Sequence, residues 1–595
     1  MIGTYAAVAA VCVSALALGQ ATICLCGARR WSWLAPVVGL ALLCGICWGA
    51  VRLPGDGVVS AAAVLVLTVA GVIYLRGWIE GAGEALAAGW PVALIALLAA
   101  SLPFVVGGHF GILGTSFNPD MSQHLLTADR LMEGHGSQLL NQGYPLGPHS
   151  IVVALNKSLG IGLVQGFSGL TVAVAVLACL TALAAFADLP LLPRTAAALL
   201  VGLAYVVASY FAQGAFKETM QALFLLGFVL ALREATKAWA DLPLRFVPAA
   251  LIAAGSVYTY SFPSLIWLGP ALVLFLILHA AGGADLGDRP SPNARGGGTK
   301  SATGPAARAL GLALLTFFVL VAPEIGRMID FHSFETFDPN GAGLGNLFGQ
   351  ISPFEVLGVW PSGDFRLAPG DGAVPAAAYY LGIAFALVLF AYGVVQLWRR
   401  RESAILSGLT AAALAYAAAR IGGTPYTAAK AIEIGAPLVA LAILSPLLGE
   451  VVGFIPAIRG KGPPQRLLPV AAACFIAIAG VCSLLALANA PVGPTSFSPK
   501  LSEYRKQVGE GPTLVVASPQ LLEEQNGTPF LSWELRGGRV CIQSSDEASG
   551  QPPAGVRFVI REGGDWTLTK VEHPPPGKTP CPLIAERQAR QGPAR

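Results

Sequence analysis

Residues 165–187 read QGFSGLTVAVAVLACLTALAAFA, a stretch without a single Asp, Glu, Lys or Arg. A helix of about 20 apolar residues is long enough to cross the hydrocarbon core of a bilayer. Similar apolar runs recur along all 595 residues, of which 55% are hydrophobic and only 12% charged. Soluble proteins carry about 25% charged residues. The sequence therefore predicts a polytopic membrane protein.

Apolar length predicts about 14 membrane-spanning helices. Residues 246–260 and 264–281 form either two short spans or one bent helix, and residues 147–163 are predicted to form an interfacial or re-entrant helix. The high counts of 70 Gly and 43 Pro suit close helix packing and broken segments. The predicted spans are 3–26, 33–51, 58–75, 90–107, 165–187, 195–212, 217–233, 246–260, 264–281, 309–326, 376–398, 404–420, 430–449 and 467–489.

Basic residues set the predicted orientation, because Lys and Arg are enriched in the cytoplasmic loops of membrane proteins. Alternating spans put five basic clusters on one side, which is therefore cytoplasmic, and leave the N-terminus and the C-terminal tail outside. The first segment lacks a basic region before its apolar run, which predicts a retained span rather than a cleaved signal. The net charge of +4 is spread over these loops and indicates no nucleic-acid partner. The clusters lie at 29–30, 233–245, 289–308, 399–401 and 459–466.

The chain is predicted to have three parts. Residues 1–89 form accessory N-terminal helices, residues 90–489 form the transmembrane core that carries the site, and residues 490–595 form a small extracytoplasmic α/β domain with a disordered end. The core includes outer loops at 107–150 and 326–375 and a Gly/Pro/Ser-rich cytoplasmic linker at 282–308. The predicted fold class is an all-α polytopic membrane bundle with a small α/β domain.

The C-terminal domain alternates three strand-like runs with a helix around 519–536. Cys541 and Cys581 are the only two of the ten cysteines that fall in this domain. An oxidising compartment favours a disulfide between them, with free thiols as the alternative. The other eight lie in or beside predicted spans, where a cysteine is usually a small apolar residue.

Six polar motifs separate the apolar helices, and the predicted topology places all six on the outer face. Polar groups that meet at one membrane face, although they lie far apart in sequence, predict one site assembled by the helix bundle. The motifs lie at 118–121, 143–149, 216–218, 258–263, 360–366 and 425–430.

The first of these motifs, Asn118-Pro119-Asp120, is typical of a helix start, since Pro suits the first turn and Asp complements the positive helix end. The amphipathic stretch 121–132 follows and is predicted to lie in the membrane interface. Asp120 and His124 are four residues apart and share a helix face. Such a pair serves either as a general base or as ligands of a divalent cation, Mg or Mn. The alternative is an N-cap Asp on a solvated interfacial helix.

Three cationic side chains are predicted at the same face. Together they would bind a phosphate or pyrophosphate, Arg with paired hydrogen bonds and Lys as a point charge. The alternative is that each one anchors its helix at the membrane interface. The cations and the acids beside them are Lys217, Glu218, Asp364, Arg366 and Lys430.

Aromatic residues accompany these charges. Tyr144 and His149 belong to the segment GYPLGPH, whose two prolines fix the backbone, and they either line a pocket or form a turn that re-enters the membrane. Tyr260 is either a membrane-interface residue or a platform for a sugar ring. Tyr426 lies close in sequence to Lys430 and is predicted at the same face.

These motifs resemble those of the GT-C superfamily, polytopic glycosyltransferases that use polyprenyl-phosphate sugars at the outer membrane face. The resemblance covers about residues 90–490. It rests on the acidic motif with its amphipathic helix, on Tyr-Pro-x-Gly-x-His at 144–149, and on the motifs at 360–366 and 425–430. Two departures stand out: Asn118 replaces an acidic residue that many members carry, and three spans precede the first long loop where many members have one.

The resemblance implies residue roles. Asp120 would be the catalytic base that deprotonates the acceptor hydroxyl. Tyr144 and His149 would lie beside the sugar. The leaving phosphate would be neutralised by Lys217, Arg366 and Lys430.

The expected function is transfer of a hexose or pentose from a polyprenyl-phosphate donor to a cell-envelope glycan or lipid. It would occur at the extracytoplasmic face of a bacterial inner membrane, with membrane lipids as the surroundings. Three alternatives stay open: a flippase or transporter of lipid-linked oligosaccharides, an envelope polysaccharide polymerase or ligase that uses a lipid-pyrophosphate donor, and a noncatalytic scaffold. The sequence contains no P-loop or Rossmann glycine motif.

Overall fold

The computed structural model describes residues 1–77, 79–115, 120–132, 138–281, 303–332, 343–454, 463–509, 511–523, 527–546, 548 and 554–577. Long apolar helices dominate, because a helix satisfies every backbone polar group within the segment and can therefore cross a bilayer. The first four are α1 (Ile2–Leu25), α2 (Ala35–Val51), α3 (Asp56–Leu75) and α4 (Ala82–Gly107).

A group of three shorter helices follows α4 and forms most of the chain between that span and the next. They are α5 (Met121–Met132), α6 (Gln138–Asn141) and α7 (Gly147–Leu159). The predicted amphipathic helix at 121–132 is therefore present as α5. The re-entrant or interfacial segment predicted at 147–163 contains α7, which packs against α2, α3, α5 and the next helix, α8 (Leu163–Ala182).

The remaining bundle helices run from α8 to α19, and α18 lies near the centre of the bundle. Its most apolar window is 94% buried inside the protein. These helices are α8 (Leu163–Ala182), α9 (Leu191–Gly202), α10 (Tyr205–Ala212), α11 (Phe216–Thr236), α12 (Val247–Tyr260), α13 (Leu265–Ala281), α14 (Thr303–Val321), α15 (Ile325–His332), α16 (Ala376–Arg399), α17 (Ser403–Gly422), α18 (Pro425–Phe454) and α19 (Pro463–Ala488).

The chain is a multi-pass membrane protein, but the expected count of about 14 spans is not confirmed. Among the described residues, 11 helices are long and apolar enough to cross a membrane, or 12 if α9 and α10 count as one span. These two helices meet at an angle of 53°, whereas the sequence predicted one continuous span at 195–212. Two further apolar helices, α2 and α12, have only 17 and 14 residues.

The N-terminal helices pack into the bundle. Helix α1 lies along α2 and α8, and α2 also contacts α12. Gly19 and Gly39 allow the first two helices to approach closely: a Cβ at Gly19 would lie 1.9 Å from the carbonyl oxygen of Ala35, and one at Gly39 would lie 1.8 Å from that of Ala15. Small residues permit such backbone contact in membranes. These helices share one hydrophobic core with the later ones, while the boundary at residue 89 stays a prediction.

A small α/β domain follows the bundle, which confirms the predicted fold class. Its sheet has the order β2-β1-β3-β4, with β1 parallel to both neighbours and β3 antiparallel to β4. The central strand is fully buried, as its Leu/Val-rich sequence predicts. Its elements are β1 (Thr513–Ala517), β2 (Val540–Ser544), β3 (Phe558–Arg561), β4 (Thr567–Lys570), α20 (Pro499–Glu503), α21 (Arg505–Gly509), α22 (Pro519–Glu523) and α23 (Gly527–Glu534).

Two sequence predictions in this domain have different outcomes. The helix expected around 519–536 is divided into α22 and α23. Cys541 is buried on β2, but Cys581 lies outside the described residues, so the disulfide between them stays a prediction.

The C-terminal domain packs against helix α5. Helix α23 lies on α5, and the Nε of Arg536 is 3.9 Å from Oδ1 of Asp129. Backbone hydrogen bonds add a second connection, since Ile112 and Gly493 each donate an N–H to the other's carbonyl oxygen, at 3.2 and 2.8 Å. The domain is therefore in direct contact with the helix that follows Asp120.

Glu534 is a fully buried acid at the end of α23. Its Oε1 accepts hydrogen bonds from the backbone N–H groups of Phe497 and Ser498, at 2.7 and 3.3 Å. Its Oε2 lies 3.6 Å from Nη2 of Arg505. Burial raises the pKa of the Glu534 carboxyl, while these hydrogen bonds and the nearby arginines act in the opposite direction.

This pKa shift predicts a pH-dependent stability. Because the folded state holds the Glu534 proton more tightly than the unfolded chain does, the stabilisation is complete below the unfolded pKa of about 4.3. It is lost as pH rises through the folded pKa. A Glu534→Gln variant lacks this titration. We therefore expect the Tm of the wild type, relative to that of the variant, to fall as pH rises from about 4 to about 7.

Thermal unfolding followed by tryptophan fluorescence at a series of pH values measures this difference. Glu503→Gln is the matched control, since its side chain is 68% exposed. A difference in Tm between wild type and Glu534→Gln that stays constant over the pH range would contradict the raised pKa of Glu534.

Candidate active site

One cavity lies where three helices begin. It encloses about 370 Å³ of space between the protein atoms, part of which is open solvent. The positive ends of α5, α11 and α18 all meet there, an arrangement that favours an anion. The lining residues are Asp120, Met121, His124, Gln213, Gly214, Ala215, Phe216, Lys217, Glu218, Tyr426 and Lys430.

Local sequence explains how these helix starts are formed. Gly214 has a φ of +71° in the turn between α10 and α11, a conformation that glycine adopts without steric cost. A Cβ at this position would also lie only 2.5 Å from the carbonyl oxygen of Leu113. Pro425 opens α18, where its missing N–H leaves no lost hydrogen bond. Asp120 accepts the first backbone hydrogen bonds of α5, from Gln123 and His124.

The two lysines of the cavity have different partners. Nζ of Lys430 lies 3.0 Å from Oε1 of Glu218, and both side chains are almost completely buried. The Lys430 ammonium also lies 4.3 Å from the ring centroid of Tyr426. Nζ of Lys217 instead lies 4.2 Å from the ring centroid of Tyr144. The cavity therefore combines one ion-paired cation with a second cation that is held by an aromatic ring.

Two histidines form a buried pair behind the lysines. Nδ1 of His124 lies 3.1 Å from Nε2 of His149, and the rings pack against Tyr144, Phe167 and Phe216. Burial lowers the pKa of His149 to about 3. Burial also lowers the pKa of His124 well below its usual range, and Lys217 and His149 add to this effect. Both imidazoles are consequently neutral near pH 7.

Arg327 fixes the segment that carries Tyr144. Its Nη2 donates to the carbonyl oxygen of Tyr144 at 2.6 Å, and its Nη1 donates to that of Leu140 at 3.2 Å. The Arg327 Nε lies 3.4 Å from Oε2 of Glu324, whose Oε1 accepts a 2.7 Å hydrogen bond from Nε1 of Trp48. Arg327 thus braces the wall of the cavity and does not line it.

Five of the predicted site residues do not line the cavity, and three of these lie apart from it. Arg366 is paired with Asp364, with Nε 2.9 Å from Oδ1 and Nη2 2.7 Å from Oδ2. Its Nη1 donates to the carbonyl oxygen of Asn346, whose side chain hydrogen-bonds to the cavity residue Gln213. Arg366 therefore fixes the segment that carries Asn346, which lies next to the cavity. Tyr260 is buried with its ring 6.2 Å from that of Trp267.

The other predicted site residues lie together at the cavity or directly behind it. Asp120, His124, Lys217, Glu218, Tyr426 and Lys430 all line one cavity. Tyr144 and His149 lie directly behind it, through their contacts with Lys217 and His124. Asn118, the first residue of the acidic motif, lies outside the described residues.

Sequence reasoning missed one polar residue that lines the cavity. Gln213 lines it from the end of α10, and only the glycine after it signals a turn. The position of Glu433 one turn after Lys430 is evident from the sequence, but its burial is not. Glu433 is fully buried, and neither carboxylate oxygen has a hydrogen-bond partner among the described residues.

A divalent cation held by Asp120 and His124 was one of the two uses predicted for this pair, and it stays a prediction. Among the described residues, no group of three or more His, Cys, Asp or Glu side chains is arranged to hold a metal ion. Lys217 and Lys430 supply positive charge in the cavity.

No protein-family model and no curated protein matches this chain. A comparison with solved structures finds the arabinofuranosyltransferase AftD from Mycobacteria, with 14% identity and a TM-score of 0.45 over 79% of this chain and 34% of that one. It also finds an oligosaccharyltransferase from Archaeoglobus fulgidus in the apo form, with 14% identity and a TM-score of 0.40 over 80% of this chain and 63% of that one.

A third match is the archaeal oligosaccharyltransferase AglB from Archaeoglobus fulgidus, in complex with an inhibitory peptide and a dolichol-phosphate. It has 14% identity and a TM-score of 0.37 over 80% of this chain and 69% of that one. The first of these proteins is named as an arabinofuranosyltransferase and the other two as oligosaccharyltransferases. This chain spans about a third of the length of the arabinofuranosyltransferase. Likenesses this distant assign no substrate and no residue role.

Proposed function

We propose that this protein is a membrane glycosyltransferase that moves a sugar from a polyprenyl-phosphate donor to a glycan or lipid acceptor of the cell envelope. The reaction would take place at the extracytoplasmic face. The observation that carries this proposal is the cavity itself, which Asp120 lines together with Lys217 and the Lys430–Glu218 pair. This combination supplies a proton acceptor and a binding place for a leaving phosphate.

The chemistry needs three events in this cavity. The acceptor oxygen forms a bond to the anomeric carbon of the sugar, while the bond from that carbon to the phosphate oxygen breaks. The acceptor proton passes to Asp120 as general base. The departing polyprenyl phosphate gains negative charge, which Lys217 and Lys430 stabilise most strongly in the transition state.

The position of the cavity supports a lipid-linked donor. Helices α11 and α18 each have the length and composition of a membrane span, and both begin at the cavity. The cavity is therefore level with the ends of the spans, where a lipid phosphate lies when its chain is in the hydrocarbon. A donor whose leaving group is itself lipid-anchored fits this position.

Sugar transfer by the purified full chain in nanodiscs tests the proposal. The donors are polyprenyl-phosphate pentoses and hexoses, with a polyprenyl-pyrophosphate sugar and a chelator arm beside them. We expect transfer, or hydrolysis of a monophosphate donor, in the wild type. We expect a decrease of at least about tenfold in Lys217→Met, since one charged contact to the leaving group is lost.

Lys157→Met is the matched control, because Lys157 lies on α7 and outside the cavity. It should keep full activity. Turnover of the pyrophosphate donor alone would favour a polymerase or ligase. No turnover and no donor binding across the panel would contradict the transferase.

A further inference from the structure

The buried histidine pair has a consequence for the role of His124. Since Nδ1 of His124 is engaged by His149, Nε2 is the ring nitrogen that His124 can offer to a ligand in the cavity that it lines. A neutral imidazole carries one proton on either nitrogen, and the hydrogen bond of one nitrogen determines the state of the other. The chemical role of His124 therefore depends on which histidine donates.

Two arrangements are possible for a neutral pair. In the first, Nε2–H of His149 donates to Nδ1 of His124, and His124 carries its own proton on Nε2. In the second, Nδ1–H of His124 donates to Nε2 of His149. His149 then carries no proton on Nε2 and must carry it on Nδ1.

The surroundings of His149 distinguish these arrangements. Its Nδ1 is buried, and no described residue hydrogen-bonds to it. The second arrangement would leave an N–H donor unpaired in this aromatic environment, and orphaned buried N–H groups are rare in proteins. The first arrangement leaves only a lone pair unused, and it gives both rings the Nε2–H tautomer, which neutral imidazoles of histidine intrinsically favour.

We infer that His149 is a positioning residue that fixes the tautomer of His124, so that His124 presents a neutral Nε2–H donor to the cavity. An Nε2 that carries a proton cannot accept one, so His124 is a hydrogen-bond donor to the substrate and Asp120 is left as the base. Within the proposed function, on which this part rests, the partner of that donor is an oxygen of the phosphate or the sugar. The same tautomer has no free lone pair on Nε2 for a metal ion.

The tautomer can be measured without any turnover. The chain has seven histidines, and long-range ¹H–¹⁵N correlation spectra of the ¹⁵N-histidine-labelled full chain separate protonated from unprotonated ring nitrogens. His124→Gln assigns the His124 signals. We expect His124 to carry its proton on Nε2 at pH 7, with His149 neutral between pH 5 and 8. A proton on Nδ1 of His124 would overturn the inference.

Two variants at His149 link the tautomer to activity. His149→Gln keeps an N–H donor, whereas His149→Leu removes it. We expect His149→Leu to lower kcat by about tenfold to a hundredfold, as is typical when the partner that orients a functional histidine is lost. We expect His149→Gln to restore most of kcat. If both variants lose kcat equally while His124 keeps its Nε2 proton, the positioning role of His149 is refuted.

The two proposals fail in different ways. If no glycosyl donor is turned over but His124 carries its proton on Nε2 in the wild type, the transferase assignment fails and the histidine arrangement stands. If transfer occurs but His124 is protonated on Nδ1, the arrangement fails and the transferase stands.

Discussion

Replacing Asp120 with Asn should abolish sugar transfer while the protein remains folded. Asn keeps the size and the acceptor oxygen of the side chain but cannot take a proton from an acceptor hydroxyl. A positioned general base contributes about 10²–10⁴-fold to a rate, so we expect a loss of that order in kcat. Binding of the lipid donor should change little, because the two cavity lysines are unaltered.

Asp129→Asn is the matched control for this variant, since Asp129 lies on the same helix but contacts the C-terminal domain at Arg536. Radiolabelled transfer assays at saturating donor, with donor binding measured in parallel, separate catalysis from binding. Asp120→Asn with wild-type kcat would remove Asp120 from the base role. Equal losses in both variants would show that α5 tolerates no substitution of this kind.

The second large effect concerns the Lys430–Glu218 pair. In Lys430→Met the buried carboxylate of Glu218 loses its counter-ion, and breaking a buried pair on one side costs about 3–5 kcal/mol. The same change removes a cation from the place proposed for the leaving phosphate. We expect both a large drop in Tm and a fall in kcat of about 10²–10³-fold, the range for loss of one transition-state contact.

A double variant separates the two effects. Lys430→Met combined with Glu218→Gln leaves neither member of the pair as an unpaired buried charge, so most of the lost stability should return while kcat stays low. Lys237→Met is the comparison for a half-exposed pair: Lys237 contacts Glu402 with 47% of its side chain exposed, and such pairs contribute about 0–1 kcal/mol. Recovery of kcat in the double variant would contradict a direct role for Lys430.

The sequence predicts the fold class well, because the length of an apolar run indicates whether that segment can span the membrane. The sequence is less informative about bends between helices within one apolar run. The angle of 53° between α9 and α10 falls within continuous apolar sequence, where hydropathy carries no signal. Helices such as α12 have only 14 residues and are largely covered by neighbouring protein. Their role depends on tertiary packing rather than on composition.

For the site, topology was the useful signal. Asp120, Lys217 and Lys430 could be grouped because each lies at a helix end on the same predicted face. Arg366 could not be excluded, since its pairing with Asp364 depends on a local turn that its motif does not specify. The hydrogen bond between His124 and His149 joins residues 25 positions apart. A sequence identifies such residues as candidates but does not indicate which nitrogen faces which.

The contact between α23 and α5 means that the helix after Asp120 also supports the C-terminal domain. That domain is not an interchangeable appendage. A hybrid protein with a foreign domain after the last span would need a surface complementary to α5, or the part of α5 that α23 covers would be left exposed. A partner that binds the C-terminal domain and displaces it would therefore act on the same helix that follows the proposed catalytic carboxylate.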